Sequence, residues 1–172
     1  MRWTGNAGDG GDDEFREFVR NRASPLHQSA YLLCGDWHLA QDLVQDTFAK
    51  AYRHWHRVQR ADSPDAYVRR ILVNEVRGRW RSRARTAPVA RFLEEPVTPD
   101  LADDVARHAG LRQALLALPL RQRATVVLRY LEGMTERETA AVLGCSQGTV
   151  KSQSSRALAT LRTFLDRTEA RI

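Results

Sequence analysis

The stretch Thr135–Leu158, "TERETAAVLGCSQGTVKSQSSRAL", carries the densest folding signals in the chain. Thr135 and Glu138 stand at the T-x-x-E spacing of a capping box, in which each side chain reaches the other's free backbone N–H. A helix therefore starts there. Gly144 ends it after about two turns, because glycine adopts the left-handed conformation that closes a helix without steric cost. Ser146 is then a fresh N-cap for a last helix. Two helices across a short glycine turn are the layout of a helix-turn-helix.

Advancing 100° per residue from Val150 gathers Ser154, Ala157, Leu158, Leu161 and Leu165 on one side, the expected core stripe. Gly148, Ser152, Ser155, Arg156 and Ala159 fall opposite, flanked by Lys151 and Gln153. Small and short polar residues let a backbone approach a surface closely, as in a helix lying in a DNA major groove. The N-terminal end (Ser146, Gln147, Thr149) also presents backbone N–H groups to phosphate. A solvated face that binds nothing normally carries more Glu and Lys than this one. By itself, however, the motif says only that duplex DNA is bound.

The rest of the chain narrows the choice. It has 172 residues, a formal charge of +6 and a sequence pI near 10.0, which favours a polyanionic partner. Nearly all the positive charge is Arg, the lysines being Lys50 and Lys151. No apolar run approaches the roughly 20 residues that span a bilayer, and the N-terminus lacks the apolar segment of a signal peptide. The expectation is a soluble cytoplasmic protein without membrane insertion. Cys34 and Cys145 fit no metal spacing and read as small thiols in a reducing compartment.

Charge divides the chain in two. Residues 63–91 carry eight arginines, whereas "FLEEPVTPDLADDVAR" (92–107) carries five acids against one Arg. With Pro96 and Pro99, that region reads as a linker. The expected organisation is a disordered tail (1–11), a first helical module (12–85), an acidic flexible linker (86–103) and a second helical module (104–167). The fold class is all-α, two small helical domains.

In the first module, Phe15, Phe18 and Val19 mark a short helix. Ser24-Pro25 reads as the cap and first residue of the next, which stops at Gly35. Asp36 caps a long helix whose apolar side is Ala40, Leu43, Val44, Thr47, Phe48, Ala51, Tyr52 and Trp55. His38, Asp42, Gln45, Asp46 and Arg53 lie opposite. A polar loop, "RVQRAD", precedes a helix opened by Ser63-Pro64. Its buried stripe is Tyr67, Val68, Ile71, Leu72, Val76 and Trp80, while Arg69, Arg70, Arg77, Arg81 and Arg83 line the rest with Asn74 between them. Basic charge and a polar amide beside a short loop suit single-stranded nucleic acid. In the second module, "VARHAGLRQALLALP" and "LRQRATVVLRYLEG" read as helices ended by Pro119 and Gly133.

Together, "AYLLCGDWHLAQDLVQDTFAKAYRHW", "SPDAYVRRILVNEVRGRWR" and "LPLRQRATVVLRYLEGMTERETAAVLGCSQGTVKSQSSRALATLR" resemble an extracytoplasmic-function (ECF) sigma factor of the sigma-70 family, similar to the SigE-like actinobacterial group. The resemblance implies sigma region 2 in the first module and region 4 in the second. It implies docking on the β′ clamp coiled coil of core RNA polymerase through Asp42, Gln45, Asp46, Lys50 and Arg53. It implies melting and holding of the promoter −10 element by Gln59, Arg60, Ser63, Arg69, Arg70, Asn74, Arg77 and Arg81. Recognition of the −35 duplex falls to Ser146, Gln147, Gly148, Thr149, Lys151, Ser152, Gln153, Ser155 and Arg156, with the second module seated on the β flap. The linker acids Glu94, Glu95, Asp100, Asp103 and Asp104 would then occupy a channel built for nucleic acid. A stress or envelope-type regulon is expected, and an anti-sigma partner is left open. Gln153 stands where the family often has Arg, and Ser154 falls on the core stripe; both bear on the −35 sequence preferred.

Two other classes compete. A stand-alone helix-turn-helix regulator would need neither the docking helix nor the arginine-rich one. An enzyme would need more than Asp42 and Asp46, four apart on one face, and His54 and His56 point to different faces. No catalytic residue, metal or cofactor is expected.

Overall fold

The computed structural model describes residues 9–86 and 110–169, and among them every element is helical. The first module contains α1 (Asp9–Cys34), α2 (Trp37–Arg53), α3 (Trp55–Gln59) and α4 (Pro64–Thr86). The second contains α5, described over 110–116, then α6 (Leu120–Val126), a wide π turn (Val127–Leu131), α7 (Glu136–Leu143) and α8 (Gln147–Glu169). The expected acidic linker beyond Thr86, and the five carboxylates from Glu94 to Asp104, lie outside the described residues.

Apart from Ser24, the expected N-caps form. The Asp36 carboxylate accepts from Leu39 N–H at 2.8 Å and starts α2. Ser63 Oγ accepts from Ala66 N–H at 3.1 Å at the head of α4. Thr135 and Glu138 make both halves of the capping box, and Gly144 closes α7 at φ 63°. Ser146 Oγ accepts from Thr149 N–H at 3.1 Å. The buried face of α2 is Leu39, Ala40, Leu43, Val44, Thr47, Phe48 and Ala51; of the expected stripe, Tyr52 is exposed and Trp55 lies beyond the helix end, in α3.

Four expectations are corrected. First, Ser24-Pro25 does not begin a new helix: α1 runs unbroken through Pro25. An interior proline costs about 3 kcal/mol. Burial of Leu26 and Leu33 just beyond it contributes about 1.5–3 kcal/mol each, enough to offset that cost. Second, α1 begins at Asp9, three residues inside the expected tail, and its Asp12 accepts a hydrogen bond from Tyr52 Oη at 2.8 Å. Third, "RVQRAD" is only partly loop, because α3 covers its first half and buries Val58. Fourth, the helix ending at Gly133 widens: Glu132 N–H donates to Val127 O at 3.0 Å, the i→i+5 pattern. Tyr130 and Leu131 are left exposed there.

The two modules share one hydrophobic cluster, in which Val68, Leu72, Val73 and Val76 of α4 join Leu115, Leu118, Val127 and Val142. The second module seats on the C-terminal end of α1. Arg112 Nη1 donates to Gly35 O at 3.1 Å, and Arg123 Nη1 donates to Leu33 O at 2.5 Å. Helix C-terminal carbonyls carry partial negative charge, so cations belong there. Gly35, at φ 78°, is also a close approach: a Cβ there would lie 2.7 Å from Leu116 Cδ2. Chain direction and packing both demand glycine at this position.

Candidate nucleic-acid interface

The α7–turn–α8 unit presents one continuous outer surface. Ser146, Gln147, Gly148, Lys151, Ser152, Ser155 and Arg156 are all exposed on it. Val150, Ser154 and Ala157 are buried beneath it, so the helical wheel placed the two faces correctly. Leu158, read as core, is 45 % exposed. It stands 80° from Val150 on the wheel, at the edge of the stripe, where a shallow neighbour leaves it uncovered. Ser152 Oγ already donates to Thr149 O at 3.0 Å, which leaves its lone pairs outward. Lys151 lies 3.7 Å from Glu136, and its exposed ammonium is free to swing away from so weak a pairing.

The N-terminus of α8 offers less to phosphate than its sequence implies. Thr149 N–H is taken by the Ser146 cap, leaving Gln147 and Gly148 as the outward N–H groups by helix position. Thr149 and Gln153 are only half-exposed; with Arg77 and Val73 of α4 they border a cavity of about 110 Å³ between the modules.

The arginines of α4 divide between three directions. Arg70, Asn74 and Arg81 are exposed, as are Gln59 and Arg60 just before the helix. Arg79 reaches α2, where its Nη2 donates to Asp46 at 2.8 Å. Arg69, Val73 and Arg77, four apart in sequence, form a stripe that faces the second module. Arg69 pairs with Asp65 at 3.4 Å and with Glu132 of the second module, at closer range. Glu132 also accepts a hydrogen bond from Ser29 Oγ at 2.6 Å. Arg69 and Arg77 are thus not on the open surface with the other −10 candidates. Trp55, Tyr67 and Trp80 pack against the core, the role their positions suggested.

Of the docking candidates on α2, Asp42, Gln45 and Arg53 are exposed. Asp46 is paired with Arg79, and Lys50 with Glu75. These two therefore brace α2 against α4 as well as edging the polar face.

Sequence reasoning missed Arg112, Arg123, Glu132 and Val73. Each acts between the modules, and no local periodicity or capping signal reports such a contact.

The cysteines differ sharply. Burial pushes the Cys34 thiol up to about 11, and its Sγ donates to Asp36 O at 3.2 Å. Cys145 is partly exposed in the helix-turn-helix turn. The thiolate is the reactive form, so iodoacetamide at neutral pH is expected to label native protein at Cys145 alone. Peptide mass mapping checks this; labelling of Cys34 at a comparable rate before unfolding would contradict its burial.

Among the described residues, no group of three or more His, Cys, Asp or Glu side chains is placed to hold a metal ion. No described helix is long and apolar enough to cross a membrane.

Residues 18–86 match the family Sigma-70 region 2, and residues 108–161 match Sigma-70, region 4. The chain is 42 % identical over 149 residues to the RNA polymerase sigma-E factor of Streptomyces coelicolor, covering 87 % of this chain and 84 % of that one. It is 35 % identical over 156 residues to the ECF RNA polymerase sigma factor SigE of Mycolicibacterium smegmatis, covering 87 % of this chain and 60 % of that one. Among solved structures it is similar to the sigma factor RpoE in complex with the anti-sigma factor NepR from Bartonella quintana, with a TM-score of 0.73 and 28 % identity over 89 % of this chain and 97 % of that one. CnrH in complex with the cytosolic domain of CnrY aligns at a TM-score of 0.66 and 29 % identity, over 91 % and 90 % of the two chains. Two regional matches in order, an exposed small-residue face on α8 and an arginine-lined α4 agree: the chain belongs to the sigma-70 family, as an RNA polymerase sigma factor of the ECF type.

Proposed function

We propose that this sigma factor binds core RNA polymerase through the exposed polar face of α2, reads the −35 element as duplex with α8, and melts and holds the −10 element with the α3–α4 loop and α4. The observation that carries the reading is the α8 surface, where short polar residues surround the exposed guanidinium of Arg156, above a buried apolar stripe. Such a surface can enter a major groove closely enough for Arg to reach a base edge. On the first module, Gln59, Arg60, Arg70, Asn74 and Arg81 supply donors and charge for an unpaired strand. Holding a flipped base costs a few kcal/mol of unstacking, which those contacts must offset.

The exposed Tyr130 and Leu131 suit an apolar seat on the β flap. Similarity to a sigma factor solved with its anti-sigma factor supports an anti-sigma partner for this chain too. The protein would act where polymerase acts, in the cytoplasm, and the SigE likeness favours a stress or envelope-type regulon. A stand-alone regulator is disfavoured because it has no use for an α2 docking face or for region 2.

Run-off transcription on genomic fragments, with core polymerase and with or without this protein, tests the reading. New promoter-specific transcripts are expected only when both are present. Tight, specific duplex binding by the protein alone, with no transcript, would instead identify a regulator. Within that assay, Arg156→Ala is expected to weaken −35 recognition by about 1–3 kcal/mol, the range of a bidentate base contact. Unchanged transcription from the target promoter would remove Arg156 from the reading face.

A further inference from the structure

The wall of the 110 Å³ cavity carries charge of one sign only. Arg77 of α4 and Arg121 of α6 both line it, and no carboxylate does. Among the described residues neither arginine forms an ion pair, whereas Arg69 is matched by Asp65 and Glu132, and Arg79 by Asp46. Like charges beside one small space repel, and an anion placed between them turns that repulsion into attraction. Arg77 is half-buried, so solvent and salt screen its charge less than that of a surface arginine. Gln153 and Thr149 add an amide and a hydroxyl to the same wall, and Cys145 adds a thiol. The rest is apolar or glycine, apart from Thr125, whose hydroxyl donates to Arg121 O at 2.8 Å. At about 30 Å³ per water the space holds roughly four waters. One tetrahedral oxyanion fits; a nucleotide strand does not.

We propose that this cavity is a binding site for a small oxyanion of the phosphate class, held between the Arg77 and Arg121 guanidinium groups with the Gln153 amide as a further donor. Guanidinium forks match the oxygen spacing of phosphate, and hydrogen bonds between opposite charges are about twice as strong as neutral ones. The two arginines come from different modules, so one anion ties α4 to α6. The site stands on shape and charge, and the promoter reading above has no part in it.

Cys145 reports occupancy, because its partly exposed thiol shares the wall. The full chain is alkylated at neutral pH with iodoacetamide, an uncharged reagent, across a titration of inorganic phosphate in which chloride holds the ionic strength constant. Half-protection of Cys145 is expected near ~1 mM phosphate and about ten-fold slower labelling at ~10 mM, an affinity that two charge-assisted contacts can supply. Arg121→Gln and Arg77→Gln should each need about ten times more phosphate for the same slowing, the effect of one lost charge-assisted hydrogen bond. Phosphate also stabilises proteins in general by its exclusion from their surfaces, but that effect is the same in wild type and variants. Circular dichroism checks that the variants stay helical; Arg121 is exposed, so Arg121→Gln decides the matter if Arg77→Gln does not fold. Absence of protection, equal slowing by chloride, or protection unchanged in Arg121→Gln overturns the site. Protection by a short single-stranded oligonucleotide with none by phosphate assigns the arginines to a strand and likewise overturns it.

Discussion

Arg123→Met is expected to destabilise the protein by on the order of 4 kcal/mol, the largest loss from any single side chain in the second module. Arg123 is 2 % exposed, and its guanidinium serves four carbonyls. Nε donates to Leu115 O at 2.9 Å, Nη1 to Leu33 O at 2.5 Å, and Nη2 to Leu116 O at 3.1 Å and Leu118 O at 3.0 Å. Its planar face lies 5.4 Å from the Trp80 ring centroid. Burial lowers its proton affinity, but an arginine stays charged at neutral pH. Methionine keeps most of the stem and removes every donor, so the variant isolates the hydrogen bonds from packing. Each buried acceptor left without a partner costs about 1–3 kcal/mol, and partial rescue by water brings the sum to the figure above. Arg123→Lys keeps the charge but not the fork, and is expected to recover less than half. Urea unfolding monitored at the tryptophans checks both; a Met variant within 1 kcal/mol of wild type would sink the account.

Arg123 also shows where sequence reading stops. In "LPLRQRATVV" it is the last of three consecutive basic or amide residues, and no spacing separates it from the exposed Arg121. Its burial is caused by α5, the end of α1 and Trp80 arriving from distant parts of the chain. The α7–α8 unit was legible for the opposite reason. A capping box, a left-handed glycine and a serine cap act within three or four residues, so the local pattern contains the whole cause. The same holds for Asp36 and Ser63. Pro25 misled because a local breaker was overridden by the burial of Leu26, Ala30 and Leu33 against other helices. Val73 was missed because it is buried from the second module's side; a single-helix wheel sees one core face, and α4 has two.

The candidate site followed the same division. The faces of α8 were readable because one helix buries one stripe; among the described side chains of that stripe, only Leu158 at its edge is exposed, and Leu165 lies outside them. The α4 arginines could be identified as basic surface but not sorted. Arg70 and Arg81 face outward, Arg79 braces α2, and Arg69 and Arg77 face the second module, according to partners that only the tertiary structure supplies. Charge reading finds the groups; packing decides which of them are free to meet a ligand.

The second large effect is expected at α2. Asp42→Arg should weaken core polymerase binding about a hundredfold, with little change in the fold. Asp42 is exposed, on the same polar face as Gln45 and Arg53. Reversing its charge removes an attraction and places like charges together, and such juxtaposition across an interface costs several kcal/mol. A hundredfold loss corresponds to about 2.7 kcal/mol. Asp46 is the less informative neighbour, because its bond to Arg79 means that a charge reversal there also loosens α2 from α4. Any loss from Asp46→Arg would therefore mix docking with packing, and should be accompanied by a lower melting temperature. Asp42→Arg should melt like wild type. Co-purification of tagged protein with core polymerase, or direct titration of labelled protein, gives the comparison. If Asp42→Arg binds polymerase as wild type does, the exposed face of α2 is not the docking surface, and the polar stripe opposite Leu43 and Phe48 needs another partner.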